Sequence, residues 1–252
     1  GRICPIRSPE GPNIGLVTYL ALYSRINEYG FLQSPYRRVF KITGGKDSIV
    51  KATDEIVYLS ADDERQYYIT HAGVLTEDVI KDDRVPVRYQ GGFKEVEKEK
   101  VDFVDVVPRQ VVGTSASLIP FVSHDETNRA LMGTHMQCQA VPLVAPASPV
   151  VGTDMEKVIA SVMGRIVRAP YDGKITYADA NKITIKGSKH NEEDTYNIES
   201  FKRTSQATSY TQKTMIVEGQ KVKEGDILVD GPSSDKGELA LGQNLLIAYT
   251  SL

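Results

Sequence analysis

The hydrophobic pattern changes character several times along the chain. In residues 1–36 a Pro- and Gly-rich run, Ser8-Pro9-Glu10-Gly11-Pro12-Asn13-Ile14-Gly15, precedes Leu16-Val17-Thr18-Tyr19-Leu20-Ala21-Leu22-Tyr23. The first reads as a rigid turn, and the apolar spacing of the second predicts a short buried helix behind it. Residues 37–106 alternate strand-like pieces, such as Ile56-Val57-Tyr58-Leu59 and Tyr67-Tyr68-Ile69-Thr70, with polar runs, and end in a Lys/Glu-rich stretch at 93–100. That alternation predicts a solvated β-rich insert. Apolar residues return at 101–112. After Gly113, Ser123 and Glu126 stand at the spacing at which a hydroxyl and a carboxylate each satisfy a free N–H at a helix start. A helix is predicted over about 125–139, ended before Pro142.

Beyond Ala145-Pro146-Ala147-Ser148-Pro149, which reads as a boundary, short apolar runs separated by Gly turns predict strands at 164–168, 173–177, 182–186 and 215–218. Asp172-Gly173 and Glu224-Gly225-Asp226 are hairpin signals. The expected fold is mainly β with a few α-helices, in modules of β-barrel or barrel-sandwich type. The stretches fall out as 1–36, 37–106, 107–145 and 146–252, with no tandem repeat and no biased tract beyond a short polar run at 188–194.

Composition narrows the class. A chain of 252 residues with 40% hydrophobic and 25% charged residues has an ordinary globular make-up and enough apolar matter for a core. No run approaches the ~18 apolar residues of a membrane span, so no membrane partner is expected. The chain opens on Gly-Arg rather than Met and carries no leader pattern, as expected of a piece of something longer. Cys4 and Cys138 lack zinc spacing and read as free thiols in a reducing cytoplasm. The net charge of −3 argues against a free-standing nucleic-acid binder. The acidity is local, since residues 41–105 hold 10 Lys/Arg against 15 Asp/Glu.

Candidate chemistry is sparse. In the 9–15 loop, two Pro and two Gly bend a backbone that offers Glu10 and Asn13 oxygens, which suits either a rigid wall against a ligand or a tight structural turn. It is not a Walker loop, because the Gly-Lys-Ser/Thr ending is missing. Arg129 lies four residues after Asp125 and three after Glu126, on one helix face. A carboxylate-held guanidinium suits a triphosphate, and the same spacing also makes a plain surface ion pair. His124 and His135 have no metal spacing and read as structural, so no metal ligands are expected. Arg37, Arg38, Arg109, Lys202, Arg203 and Lys213 are scattered cations able to meet a phosphate backbone or simply to be solvated; Lys202 and Arg203 stand together as a candidate nucleic-acid contact. Lys174 and Lys223 near Gly-Asp turns resemble the hairpins of biotinyl or lipoyl carriers, without the Met-Lys-Met-like tip.

Several strings resemble the beta subunit of bacterial-type DNA-directed RNA polymerase. They are Gly1-Arg2-Ile3-Cys4-Pro5-Ile6, the run from Pro9 to Leu16, Asn27-Glu28-Tyr29-Gly30-Phe31-Leu32, Asn128-Arg129-Ala130-Leu131-Met132-Gly133 and Gln139-Ala140-Val141-Pro142. Asp230-Gly231-Pro232-Ser233 and Gly237-Glu238-Leu239-Ala240-Leu241-Gly242-Gln243-Asn244 add to them, collinear over nearly the whole chain. The resemblance implies an internal fragment that lines the active-site cleft of a nucleotidyltransferase. In it Pro9, Glu10, Asn13 and Val17 border the fork and rifamycin pocket, Arg129 faces the phosphates of the incoming nucleotide, and the carboxyl-terminal part supports the RNA–DNA hybrid. It also implies as partners the beta-prime subunit, the remaining beta domains, template DNA, nascent RNA and nucleoside triphosphate. The fragment would not be catalytic alone, because Mg2+ is held by beta-prime and an acidic segment and RNA-contacting lysines lie beyond Leu252. The sequence departs from the family's usual pattern at Cys138, where an Arg is usual, at Thr134-His135 for Ala-Asn, and at Ser8 for Thr. The competing reading is a structural or interaction module with no ligand of its own.

Overall fold

The computed structural model describes residues 1–42, 49–187 and 193–251, so most of the polar run at 188–194 lies outside the described residues. The protein is mainly β. It divides into two compact units, one of Gly1–Ser117 with Glu126–Leu131, the other of Leu118–Asp125 with Met132–Leu252.

In the first unit two long antiparallel strands, Leu32–Ile42 and Ile49–Leu59, form the middle of a nine-stranded sheet. Their register shifts between Arg37 and Val39. A bulge of this kind lets Tyr36 and Val39, an odd number of positions apart, both face the core. Phe103–Asp105 pairs antiparallel with Leu32–Ile42 and parallel with Ile69–Thr70, which in turn pairs with Arg84–Tyr89. Val39, Val50, Ile80, Val85, Val87, Val101 and Val104 fill one cluster, and Tyr36, Leu59, Ile69 and Phe103 another. At the end of Ile49–Leu59 the chain turns into the Ala61–Glu64 helix, where Ser60 and Asp63 form a reciprocal cap.

The helix predicted over residues 16–23 does not form. Residues 10–18 are exposed, Gly15 sits at φ 73, and the chain then runs extended, with Leu20 bridged to Ile3. Cys4 N–H donates to Tyr19 O at 2.8 Å, Ala21 N–H to Arg2 O at 2.9 Å and Leu22 N–H to Val112 O at 2.9 Å. The backbone groups that a helix would have paired locally are therefore used in distant pairings. Apolar spacing does not reveal those.

The second unit is built on Ile175, Ile183, Ile185, Leu228 and Val229, all fully buried. Gly173–Ala178 and Lys182–Gly187 form a hairpin closed by Asp179, whose Oδ1 accepts the N–H groups of Asn181 and Lys182 at 2.6 and 2.7 Å. Glu193–Asn197 and Lys221–Val222 flank them, and Val167–Arg168, Ile227–Asp230 and Lys213–Thr214 make a separate three-stranded sheet. Among the described residues no sheet closes into a barrel.

Three local expectations need correction. Asp172-Gly173 opens a strand rather than a hairpin turn: Gly173 is there because a Cβ would stand 2.5 Å from Lys186 O. The turn at Gly225 (φ 87) does form, yet the strands it joins go to different sheets. The strand expected at 215–218 is confined to Lys213–Thr214, because the chain turns at Gly219 (φ 85); Met215 N–H still reaches Leu228 O at 3.0 Å. The sequence also gave no notice of the Met155–Val162 helix, which buries Met155, Glu156 and Ala160.

Candidate nucleotide-facing loop and helix

The 9–15 loop is shaped by its backbone. Ile14 N–H donates to Gly11 O at 3.1 Å, Leu16 N–H to Asn13 O at 3.1 Å, and Ser8 Oγ accepts Gly15 N–H at 2.9 Å across the whole turn. Gly11 (φ 95) and Gly15 (φ 73) occupy the left-handed region that only glycine enters without strain. The departure at Ser8 is thereby explained, since either hydroxyl residue supplies the oxygen that clasps Gly15. Pro9 is half-buried and Glu10, Asn13 and Val17 are exposed. Below the loop, Cys4 packs with Val112 and Ala116, and the Arg7 guanidinium lies 3.9 Å from the Tyr19 ring centre while bonding Ser115 Oγ at 2.8 Å.

Arg129 is exposed in the first turn of the Thr127–Cys138 helix. The cap differs in detail from the expected one: Ser123 lies in the 3-10 turn Val122–His124, and the helix starts two residues later than predicted. Glu126 takes the capping role, its Oε2 accepting Arg129 N–H at 3.0 Å and its Oε1 the Asn128 amide at 2.7 Å. Buried Ala130 anchors this turn. The Arg129 turn and the loop belong to the same compact unit. Cys138, at the other end of the helix, is exposed and Cys4 is buried, and neither is in a disulfide.

The other cations divide by their partners. Arg37 pairs with Asp78 at 2.8 Å and Asp54 at 3.5 Å, and Arg38 with Glu55 at 3.3 Å, so both serve the sheet that carries them. Lys202 is bound to Glu199, which also accepts from Tyr210 OH at 2.6 Å and Arg165 at 3.2 Å. The Lys202 bond holds the Glu199 carboxyl below its usual range, and Glu199 raises the Lys202 ammonium in return. Arg203, beside it in the strand, is exposed, as are Arg109, Lys213 and His124. Lys174 sits inside a strand opposite Lys186, and Lys223 at the entrance to a turn, so neither is at a hairpin tip as a carrier lysine would be. Among the described residues no group of three or more His, Cys, Asp or Glu is arranged to hold a metal ion, and no helix is long and apolar enough to cross a membrane.

Sequence reasoning missed a second feature of the first unit, a charged network under the sheet. Arg88 reaches Glu64 at 3.3 Å, Asp105 at 3.4 Å and the Tyr36 hydroxyl at 3.3 Å, and Arg2 bonds Glu64. Burial pushes the Asp105 carboxyl up, with Arg88 pulling it back. No short motif marks this network, because its members come from distant parts of the chain.

Comparison with known proteins accounts for the resemblance. Residues 1–26 match the family described as RNA polymerase Rpb2, domain 3, residues 36–107 the RNA polymerase beta subunit external 1 domain, and residues 168–252 RNA polymerase Rpb2, domain 6. The DNA-directed RNA polymerase subunit beta of Streptococcus thermophilus (strain CNRZ 1066) is 46% identical over 251 residues, 99% of this chain and 20% of the relative. The chain belongs to the RNA polymerase beta subunit family. The beta subunits of Caldicellulosiruptor saccharolyticus (47% over 251 residues, 99% of this chain, 20% of the relative) and Spiroplasma citri (46% over 256 residues, 100% and 19%) agree with it. This beta-subunit segment thus spans about one fifth of the length of the curated relatives it matches. Its loop and its Arg129 helix both lie within the matched range.

Proposed function

We propose that this segment forms part of the active-site cleft wall of a DNA-directed RNA polymerase and contributes to nucleotide addition without performing phosphoryl transfer itself. The observation that carries the reading is the setting of Arg129. It falls in an Asn-Arg-Ala-Leu-Met-Gly string of the family resemblance, inside a match at 46% identity, and stands exposed on a first helical turn whose backbone is fixed by Glu126. A guanidinium donates two parallel hydrogen bonds to a phosphate and stays charged, and the helix start adds the positive end of its dipole. The arrangement supports substrate binding and orientation at the triphosphate. Neutralising charge on the transferring phosphoryl group also takes metal ions; the reading assigns that Mg2+ to the beta-prime subunit, outside this chain.

In the same reading Pro9, Glu10, Asn13 and Val17 border the fork and the rifamycin pocket, on a loop whose shape is set by Gly11, Gly15 and Ser8. At Cys138, where the family usually has an Arg, the cation and donors of that Arg are missing. Of the basic pair at 202–203, Arg203 is the better placed to meet nucleic-acid phosphate, since Lys202 is held by Glu199. The partners are beta-prime, the rest of beta, template DNA, nascent RNA and nucleoside triphosphate, in a cytoplasmic assembly.

The test is Arg129→Ala in the complete subunit, assembled into the polymerase. Nucleotide addition is expected to fall about 100-fold, the size seen when one charge-stabilising donor is removed from an active site, with assembly unchanged. Undiminished addition removes Arg129 from the substrate site. The local pairing of Arg37, Arg38 and Lys202 favours a second reading, a scaffold module without its own ligand. Titrating the 252-residue chain with nucleotide and with an RNA–DNA hybrid at moderate salt separates the two: saturable binding supports the first, its absence the second.

A further inference from the structure

We infer that the second unit holds a binding site for a cationic hydrogen-bond donor, a guanidinium, amidinium or primary ammonium group on a short apolar stem. A cavity of about 260 Å3 lies within this unit, its walls including Leu118, Gln137, Glu156, Leu239, Leu241 and Asn244. Its polar lining is rich in acceptors. Gln137 Oε1 is buried without a hydrogen-bond partner, an uncommon condition in folded proteins that marks a place awaiting a donor. Glu156 is only 6% exposed. Among the described residues its carboxylate accepts from Thr153 alone, the N–H at 3.1 and 3.0 Å and the hydroxyl at 3.4 and 3.5 Å, and no Lys, Arg or His pairs with it. Buried carboxylates are normally paired with a cation, and here the cavity offers the space for one.

The walls hold these acceptors in place. Glu156 stands on the first turn of the Met155–Val162 helix, pressed against Gly152, where a Cβ would lie 3.1 Å from Oε2. On the opposite strand of the lining, Ala147 N–H donates to Gly242 O at 2.9 Å. Gln243 Nε2 and Asn244 Nδ2 are committed to the carbonyls of Ala145 and Ser148, both at 2.8 Å, which leaves the two carboxamide oxygens as the uncommitted ends. An anion would meet the buried Glu156 carboxylate here. The leucines fit an apolar stem, and the volume falls just below the range of about 300 Å3 and more used by drug-sized ligands, so a flat head with a short stem fits and a nucleotide does not.

The experiment titrates the 252-residue chain by protein-observed NMR with benzamidinium, with its neutral isostere benzamide, and with N-acetyl-arginine methylamide. Benzamidinium is expected to saturate, with benzamide at least tenfold weaker. Tighter binding of the arginine derivative points to a protein side chain as the natural occupant, and tighter binding of benzamidinium to a small molecule. Glu156→Gln should weaken the cation at least tenfold and Gln137→Met several-fold. Because Glu156 also caps its helix, Leu241→Phe, which fills the cavity and keeps both acceptors, is the companion variant and should abolish binding in a folded chain. Equal binding of benzamide and benzamidinium, no saturation by either cation, or indifference to Gln137→Met and Leu241→Phe would each overturn the inference.

Discussion

In and beside the nine-stranded sheet several cations are matched by carboxylates nearby in the same unit: Arg37 by Asp54 and Asp78, Arg38 by Glu55, Lys41 by Asp102, Lys98 by Asp83, Arg88 by Glu64 and Asp105. In the loop at 8–18, by contrast, large apolar side chains are turned outward, Ile14 63% and Leu16 79% exposed, and the shape is held by main-chain bonds, two left-handed glycines and one serine. The sheet is specified by contacts between its own side chains. The loop is specified by its backbone and the Ser8 hydroxyl, with its large apolar side chains on the outside. If that division is right, side-chain truncation should damage the sheet and spare the loop, while backbone changes should do the reverse.

The largest effect is expected at Arg88. Its removal leaves Asp105, 7% exposed at the side chain, buried without its cation, and Arg88→Met should lower stability by about 3–5 kcal/mol. Leu16→Ala in the loop should stay within about 0.5 kcal/mol, as for an exposed site with no structural role. Urea unfolding midpoints of the chain measure both. A loss below 1 kcal/mol at Arg88 would mean that the charges under the sheet are decoration, and the contrast would fail.

Tyr36 tests the same network by pH. Burial, then the charge of Glu64, pushes its phenol up to about 12 from 10.0. The folded state holds this proton more tightly than the unfolded chain, so the contribution is complete below pH 10 and is lost as pH rises from 10 through 12. It amounts to about 2–3 kcal/mol. Stability of the parent should fall more steeply than that of Tyr36→Phe over this window; parallel curves would show that Tyr36 titrates normally.

Glycines separate base from tip within the loop region. At Gly113 a Cβ would meet Leu20 O at 3.1 Å and the Cys4 Cβ at 3.3 Å, so Gly113→Ala should cost about 1–3 kcal/mol by overpacking the base. Gly15 has open space around it but a φ of 73, and Gly15→Ala should cost about 1 kcal/mol through backbone strain alone. Thermal unfolding of the two variants ranks them, and a reversed order would relocate the constraint from packing to conformation.

These contrasts also explain what was legible in the sequence. Strands with apolar residues at alternate positions, such as Ile183 and Ile185 on either side of Thr184, and the helix carrying Arg129 follow from short-range periodicity and end signals, and both are present in the structure. The error at 16–23 has the same root as the loop's character: exposed apolar residues mimic a packed helical stripe, and only the pairing of Leu20 with Ile3 and of Leu22 with Val112 reveals the extended path. The residue types of the candidate site, Arg129 and the Pro-Gly loop, were visible as strings. The Arg88 network and the cavity at Gln137 and Glu156 were not, since each draws on residues far apart in the chain that no local pattern links.

The smallest effect, and the most specific to the loop, is at Ser8. Its Oγ accepts Gly15 N–H at 2.9 Å, a single exposed bond of the kind worth about 0.5–1.5 kcal/mol. Ser8→Ala should therefore leave global unfolding nearly unchanged, because the bond lies outside the core clusters, yet speed hydrogen exchange at Gly15 by about tenfold, the kinetic equivalent of about 1.4 kcal/mol of local opening. Ser8→Thr keeps the oxygen and should restore protection. Exchange at Gly15 that is equally fast in all three proteins would show that Gly11 and Gly15 hold the turn unaided. The hydroxyl at position 8 would then be incidental to the shape the loop presents.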